Sequence, residues 1–132
     1  MIKKTITLLT LFIFFACTRP STNADTAIEQ QFGIYINKLS HDEIEENLSK
    51  GLKPIAIKDN IDVVGFPNTA GSLALKENYP SNNAFLIQQL SDNGYFVIEK
   101  TNLSEWANFR SSSSTSGWSS MGGQTMIPYG KM

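Results

Sequence analysis

The sequence predicts an α/β fold, because short apolar runs of strand length alternate with segments of helical spacing. Residues 52–58 and 95–98 each hold a continuous apolar run, which is typical of a strand covered on both faces. Between them, residues 84–90 carry apolar side chains at helical spacing, and Gly94 follows as a stop. A strand, a helix and a second strand in this order indicate a parallel sheet.

Two helices are predicted before the first of these strands. Apolar spacing predicts one over about 25–38, although the run 33–36 also fits an extended chain. The second begins at Ser40, whose hydroxyl and the Glu43 carboxylate form a capping box. Gly51 is a natural end for this helix.

Side-chain caps are also expected later in the chain. Asn82 or Asn83 is predicted to cap the helix at 84–90. Thr101 or Asn102 is predicted to cap a short helix that runs through Leu103, Trp106 and Phe109.

The composition bounds the class of function. Across 132 residues, 11 Lys and Arg stand against 12 Asp and Glu, and this net charge of −1 argues against a nucleic-acid partner. A single Cys excludes an internal disulfide and a multi-cysteine zinc site, and a single His excludes a His-rich metal site. The 41% of hydrophobic residues excludes a disordered tail.

The N-terminus has the features of a bacterial export signal. Two lysines precede an apolar run at 6–16, which is too short to span a bilayer. The run ends directly before Cys17, a pattern that resembles a lipobox. We expect a signal peptide over 1–16, a lipidated Cys17 with a tether over 17–26, and a membrane-anchored lipoprotein of the cell envelope. An ordinary signal with a chance cysteine and an uncleaved anchor are the alternatives.

Lys58 is the candidate catalytic residue. It ends the predicted strand at 52–58, and ligands bind at the carboxyl edge of open α/β sheets. Loss of water there favours a neutral amine, which can act as a general base. From Lys58, Asp59 and Asn60 alone, a surface lysine at a strand end is the alternative.

Three blocks of sequence resemble the amidase signature family. The first, residues 54–72, contains Ile-Lys-Asp-Asn around Lys58 and ends in Thr-Ala-Gly-Ser. The second, 84–107, contains Lys-Thr-Asn-Leu-Ser-Glu-Trp-Ala, and the third, 122–129, contains Gly-Gly-Gln-Thr and Pro-Tyr. The blocks follow the family's order over about residues 52–130, which is a more specific signal than one tripeptide.

The resemblance implies an incomplete α/β fold, the N-terminal part of a larger one in which helices flank a mixed central sheet. Residues 27–132 are then a partial amidase domain. An incomplete sheet leaves an unpaired edge and uncovered apolar faces. We therefore expect the isolated polypeptide to be loosely folded or prone to aggregate.

The resemblance also implies an activity, the hydrolysis of carboxamide C–N bonds by a Lys-Ser-Ser triad without a metal or an organic cofactor. Lys58 matches the catalytic lysine, and the implied substrates are small-molecule or peptide amides. The family's two serines follow the Pro-Tyr stretch, and the sequence up to Met132 has no match for them. Because triad members act as a unit, these residues alone are expected to be inactive. The alternative is a non-catalytic envelope lipoprotein that reuses the scaffold for binding.

Two local features bear on this implied site. Residues 111–120 hold seven serines, which is typical of a flexible linker but also suits a loop lining a site. They precede Gly122, on the wrong side of the family's landmark, so none is predicted to be the nucleophile. Glu99 stands where the family usually has Gly, and we expect it to disturb close backbone packing.

Overall fold

Helices and strands alternate in the structure, a computed structural model that describes residues 32–109 and 112–127. The elements are β1 (Tyr35–Lys38), α1 (His41–Ser49), β2 (Lys53–Lys58), a 3₁₀ turn (Leu73–Leu75), α2 (Phe85–Asp92), β3 (Tyr95–Thr101), a 3₁₀ turn (Glu105–Asn108), β4 (Trp118–Ser119) and β5 (Gly123–Gln124). The predicted signal peptide, Cys17 and the tether lie outside the described residues. Within the described ranges, no helix is long and apolar enough to cross a bilayer.

In the part of the chain that the structure describes, the main sheet has three strands in the order β1-β3-β2. Strands β2 and β3 are parallel, which confirms the predicted strand-helix-strand unit, and β1 is antiparallel to β3. The fold is therefore α/β with a mixed sheet. The parallel register places Ile57 opposite Lys100 and Lys58 opposite Thr101.

Strand β1 corrects the helix predicted over 25–38, in the part of that range that the structure describes. The chain turns at Gly33, whose φ is 57°, and a Cβ there would lie 2.7 Å from the Gln124 carbonyl oxygen. Beyond the turn, the backbone pairs with β3, and the Leu39 N–H donates to the Ile98 oxygen at 2.8 Å. Pairing with a distant strand outweighs the helical spacing of the apolar residues.

Helix α1 confirms the predicted capping box. Ser40 is the N-cap, and its backbone N–H donates to the Glu43 carboxylate at 2.9 Å. The Glu43 N–H donates in return to the Ser40 hydroxyl at 3.4 Å. The helix ends at Ser49, and Gly51 follows with a φ of 76°. Local chemistry therefore fixes this helix at both ends.

Helix α2 is present, but its predicted asparagine cap is wrong. The N-cap is Ala84, which has no side-chain cap hydrogen bond. The Asn83 side-chain oxygen instead accepts from the Val64 N–H at 2.7 Å. Asn83 thus joins the start of α2 to the loop after β2. Because its side-chain oxygen is used in this contact, it does not cap the helix.

The short helix predicted through Leu103, Trp106 and Phe109 is a single 3₁₀ turn. Ser104 is its N-cap, so neither Thr101 nor Asn102 caps it. Residues 106–108 have φ angles of 51°, 52° and 62°, a left-handed conformation that an α-helix cannot continue.

The apolar core lies on one face of the sheet. Among the described residues, it is a cluster of four buried side chains, Ile57, Val63, Phe66 and Ile87. On the alternate face of β2, residues 54, 56 and 58 are exposed in the described part of the chain, which corrects the expectation of a strand covered on both faces.

Candidate active site

Lys58, the predicted catalytic residue, is the last residue of β2 and is exposed. Its Cα pairs with Thr101 at the end of β3, so it lies at the carboxyl edge of the parallel strands. Among residues 32–109 and 112–127, no side chain is hydrogen-bonded or ion-paired with its ammonium. The position at the strand end is as predicted, but the amine is exposed, so the expected loss of water around it is wrong for the described part of the chain.

Asp59 anchors the chain directly after Lys58. It is fully buried, and its backbone N–H donates to the Thr101 oxygen at 3.1 Å. One carboxylate oxygen accepts from the Thr69 N–H at 3.2 Å, from the Thr69 hydroxyl and from the Gly71 N–H at 3.1 Å. These contacts fold the segment 59–72 back onto the end of β2.

Lys100 is a second lysine at this edge, and its relative exposure is 0%. Its ammonium donates to three backbone carbonyls, those of Asp59 at 3.2 Å, Ile61 at 2.8 Å and Pro67 at 3.3 Å. Three partners match the three N–H donors of an ammonium. Lys100 therefore joins β3 to three points of the segment that follows Lys58.

The charge of Lys100 is compensated by nearby carboxylates. Burial lowers the pKa of the Lys100 ammonium, while the negative charges of Asp59 and Asp62 oppose that change. Asp62 also accepts a hydrogen bond from the Asn68 amide at 2.6 Å. A buried cation with a full set of acceptors and two acidic neighbours can remain charged.

Asn102 joins the end of β3 to three other segments. Its amide nitrogen donates to the Gly33 oxygen at 3.1 Å, the Gly123 oxygen at 3.0 Å and the Thr125 hydroxyl at 3.1 Å. Its amide oxygen accepts from the Leu103 N–H and, at 2.7 Å, from the Ser119 hydroxyl. The residue expected as a helix cap is thus a hub of tertiary hydrogen bonds.

The described part of the serine-rich segment is a bonded loop, contrary to the flexible-linker interpretation. The Gly117 N–H donates to the Ser104 hydroxyl at 2.7 Å, and the Ser120 N–H donates to the Glu105 carboxylate at 2.9 Å. Ser119 is buried, and its hydroxyl also accepts from the Gly122 N–H at 2.9 Å. A hydroxyl held in this way is not free to act as a nucleophile.

Gly71 lies where the serine-rich loop meets the loop after β2. Its φ is 75°, and a Cβ at this position would lie 2.8 Å from the Ser119 Cβ and 3.3 Å from Leu103. Its carbonyl accepts from the Met121 N–H at 3.1 Å. Three loops therefore meet at the sheet edge that carries Lys58, namely those after β2, after β3 and around β4.

Glu99 lies beside an irregularity in the register of the parallel strands, since Ile55 pairs with Val97 whereas Ala56 pairs with Glu99. Its carboxylate lies 3.9 Å from the Lys38 ammonium on β1, and both side chains are largely buried. Its Cα pairs with Lys38, so the register of the antiparallel strands provides the partner. A cross-strand ion pair accommodates the charge where the family usually has Gly.

Sequence reasoning placed Lys58 but missed Lys100 and Asn102 as parts of this edge. The charged pair Glu99 and Lys100 directly after the apolar run 95–98 was an available signal, because a lysine inside a buried strand needs partners. In the described ranges, no group of three or more His, Cys, Asp or Glu side chains can hold a metal ion.

The comparisons with known proteins agree on one family. The Amidase profile matches residues 37–131. The chain is 54% identical over 54 residues to a glutamyl-tRNA(Gln) amidotransferase subunit from Methanosarcina acetivorans, covering 41% of this chain and 11% of that protein. It is 52% identical over 60 residues to mandelamide hydrolase of Pseudomonas putida, covering 46% and 12%.

A solved relative gives the same result for the fold. The peptide amidase from Stenotrophomonas maltophilia superposes with a TM-score of 0.65 at 39% identity, covering 76% of this chain and 23% of that chain. The chain thus spans about an eighth of the curated relatives and under a quarter of this solved one.

Proposed function

Because this chain belongs to the amidase family, we propose that it supplies the catalytic lysine of an enzyme that hydrolyses carboxamide C–N bonds. The observation that carries the proposal is the exposed Lys58 amine at the carboxyl edge of the parallel strands, directly before the anchored residue Asp59. An exposed amine on an anchored backbone suits a group that must exchange a proton repeatedly.

The proposed reaction requires Lys58 in its neutral form, which burial of the amine by the serine-bearing remainder of the enzyme would favour. The amine takes a proton through a bridging serine from a nucleophilic serine, whose oxygen attacks the amide carbonyl. Backbone N–H groups hold the oxyanion, the C–N bond breaks, and the leaving nitrogen receives the proton. Water then cleaves the acyl-enzyme ester, which releases the carboxylic acid and restores the serine. In the family, both serines follow the stretch that matches Pro128 and Tyr129.

The proposed substrates are linear carboxamides. The names of two relatives, a mandelamide hydrolase and a peptide amidase, support a small-molecule or peptide amide. A third relative is named for an amidotransferase that acts with tRNA, which is a cytoplasmic substrate. Export of this chain would separate it from that partner, so we favour the hydrolytic role.

We propose in addition that the chain is exported and lipidated on Cys17. The basic start, the apolar run 6–16 and the cysteine directly after it support this proposal. In bacteria fed an alkyne analogue of palmitate, we expect the chain to be labelled and Cys17→Ser to abolish the label. Equal labelling of both chains, or of neither, would contradict lipidation at Cys17.

A chimera tests the proposed function. In it, this chain replaces the part of the Stenotrophomonas maltophilia peptide amidase that it matches, so the serines come from that enzyme. We expect the chimera to hydrolyse a C-terminally amidated peptide and the 132-residue polypeptide alone to be inactive. Lys58→Ala should lower kcat/KM of the chimera by about 1000-fold or more, because triad members act as a unit.

Lys53→Ala is the matched control, since Lys53 is an exposed lysine of the same strand. We expect this variant to retain the activity of the parent chimera. A folded Lys58→Ala chimera as active as the Lys53→Ala chimera would overturn the proposed function. Hydrolysis by the 132-residue polypeptide that depends on Lys58 would overturn the requirement for external serines.

A further inference from the structure

We propose that Lys100 is a positioning residue for Lys58, and that its ammonium must be charged for the Lys58 amine to meet its proton donor. The inference rests on the proposed function of Lys58 as the base. It assigns to Lys100 a role that acts through the backbone, without contact with the substrate.

The first support is the set of backbone carbonyls to which the Lys100 ammonium donates hydrogen bonds. Its three acceptors, the carbonyls of Asp59, Ile61 and Pro67, lie 41, 39 and 33 residues before it in the chain. An ammonium has three N–H donors, whereas a neutral amine has two. Loss of the proton therefore leaves at least one of these buried or part-buried carbonyls without its donor, which costs free energy.

The second support is the connection between these carbonyls and Lys58. Asp59 directly follows Lys58, its N–H donates to the Thr101 oxygen, and its carbonyl accepts from Lys100. Its carboxylate is bonded to Thr69 and Gly71. The residue directly after Lys58 is thus held at both its backbone N–H and its backbone carbonyl. Lys100 makes the contact to the carbonyl.

The third support is that Lys58 has little else to orient it. Its side chain is exposed and has no bonded partner among the described residues. The direction of the Lys58 Cα–Cβ bond therefore depends on the backbone of β2 and of Asp59. A shift of about 1 Å in a reacting group can lower a rate by about 100-fold.

The surroundings of Lys100 define its response to pH. Asp59 and Asp62 act on it from the segment after β2, and both stabilise the charged form. Its register partners on the neighbouring strands, Asn37 and Ile57, carry no charge. Burial has the larger effect and lowers the pKa of the Lys100 ammonium. Positioning is then lost as the pH rises through that lowered value.

Variants of the chimera test the role directly. We expect Lys100→Met to lower kcat by about 100-fold with less than about a threefold change in KM, because misplacement affects the reacting amine. Lys100→Arg keeps a permanent charge and several donors, and should recover kcat to within about tenfold of the parent. Lys38→Met, which removes a largely buried lysine from the same sheet, is the matched control and should retain kcat.

The pH profile separates positioning from general stability. In the parent chimera, kcat should fall on the alkaline side together with the NMR titration of the Lys100 ¹³Cε signal. Lys100→Arg should lack this alkaline fall, since its guanidinium does not lose a proton. If no Lys100 variant folds, the pH titration of the parent chimera is the test. The inference is overturned if kcat falls at alkaline pH while the Lys100 ¹³Cε signal remains that of a charged ammonium.

The remaining outcomes distinguish this inference from the proposed function. A folded Lys100→Met chimera with parental kcat, in which Lys58→Ala is inactive, overturns only the role of Lys100. If kcat of the Lys100→Arg chimera falls at alkaline pH as in the parent, only the role of Lys100 is overturned. A fully active Lys58→Ala chimera overturns the proposed function and the inference that rests on it.

Discussion

The Ser119 hydroxyl donates a hydrogen bond to the Asn102 side-chain oxygen at 2.7 Å, and this contact ties the serine-rich loop to the end of β3. The same asparagine donates to the Gly33 and Gly123 carbonyls. One amide side chain thus joins segments that are far apart in the chain, at the edge of the sheet that carries Lys58.

Replacing Asn102 with Ala should destabilise the chain. The change removes the acceptor of the Ser119 hydroxyl and one donor to each of the Gly33 and Gly123 carbonyls, so we expect a loss of about 2–4 kcal/mol in the free energy of unfolding. Urea unfolding of the chimera measures this loss. The control is Asn82→Ala, since the exposed Asn82 amide donates only to the Ser81 hydroxyl among the described residues. Equal stability of the two variants would contradict a structural role for Asn102.

Replacing Gly71 with Ala should cost more than replacing Gly65. Both glycines have positive φ, but a Cβ at Gly71 would lie 2.8 Å from Ser119, whereas a Cβ at Gly65 meets no atom within 4 Å. Backbone strain alone costs about 1 kcal/mol, and the clash should add about 1–3 kcal/mol for Gly71→Ala. Parallel urea titrations of the two chimeras measure the difference, and equal midpoints would show that the loops do not pack as described.

The stability that the capping box gives to α1 should depend on pH. Hydrogen bonds from the Ser40 hydroxyl and backbone N–H lower the pKa of the Glu43 carboxyl. The stabilisation is therefore present at neutral pH and lost as the pH falls through that lowered pKa. Ser40→Ala should raise the pKa of Glu43 in an NMR titration, whereas Ser49→Ala at the other end of the helix should not. A Glu43 titration that is unchanged in Ser40→Ala would show that the box does not form.

The isolated 132-residue polypeptide should not melt cooperatively. Within residues 32–109 and 112–127, strand β2 is an edge strand, and Phe85 and Phe109 are 80% and 92% exposed. An open edge and exposed aromatic side chains favour association over a single folded monomer. Size-exclusion chromatography and a circular-dichroism melt test this expectation. A soluble monomer with a sharp, reversible transition would contradict it.

Elements whose signals lie within a few residues could be predicted from the sequence. The capping box of Ser40 and Glu43 fixed the start of α1, and continuous apolar runs identified β2 and β3. The position of Lys58 also followed, because the end of a parallel strand is a property of local sequence and fold class.

Features that depend on distant partners could not be predicted in this way. Residues 35–38 have helical spacing but pair with β3, and Asn83 bonds to Val64, 19 residues before it. The partners of Lys100 lie 33 to 41 residues away. Sequence periodicity carries no information on such contacts, so the support around Lys58 became visible only in the structure.

The distance between Lys58 and a serine hydroxyl is the most direct test of the proposed proton relay. In a crystal structure of the chimera, we expect the Lys58 Nζ to lie about 2.6–3.2 Å from a serine Oγ of the Stenotrophomonas maltophilia segment. A hydroxyl from this chain's own residues bonded to that nitrogen inside a closed cavity would contradict the relay. A Lys58 side chain directed away from both of that segment's serines would contradict it equally.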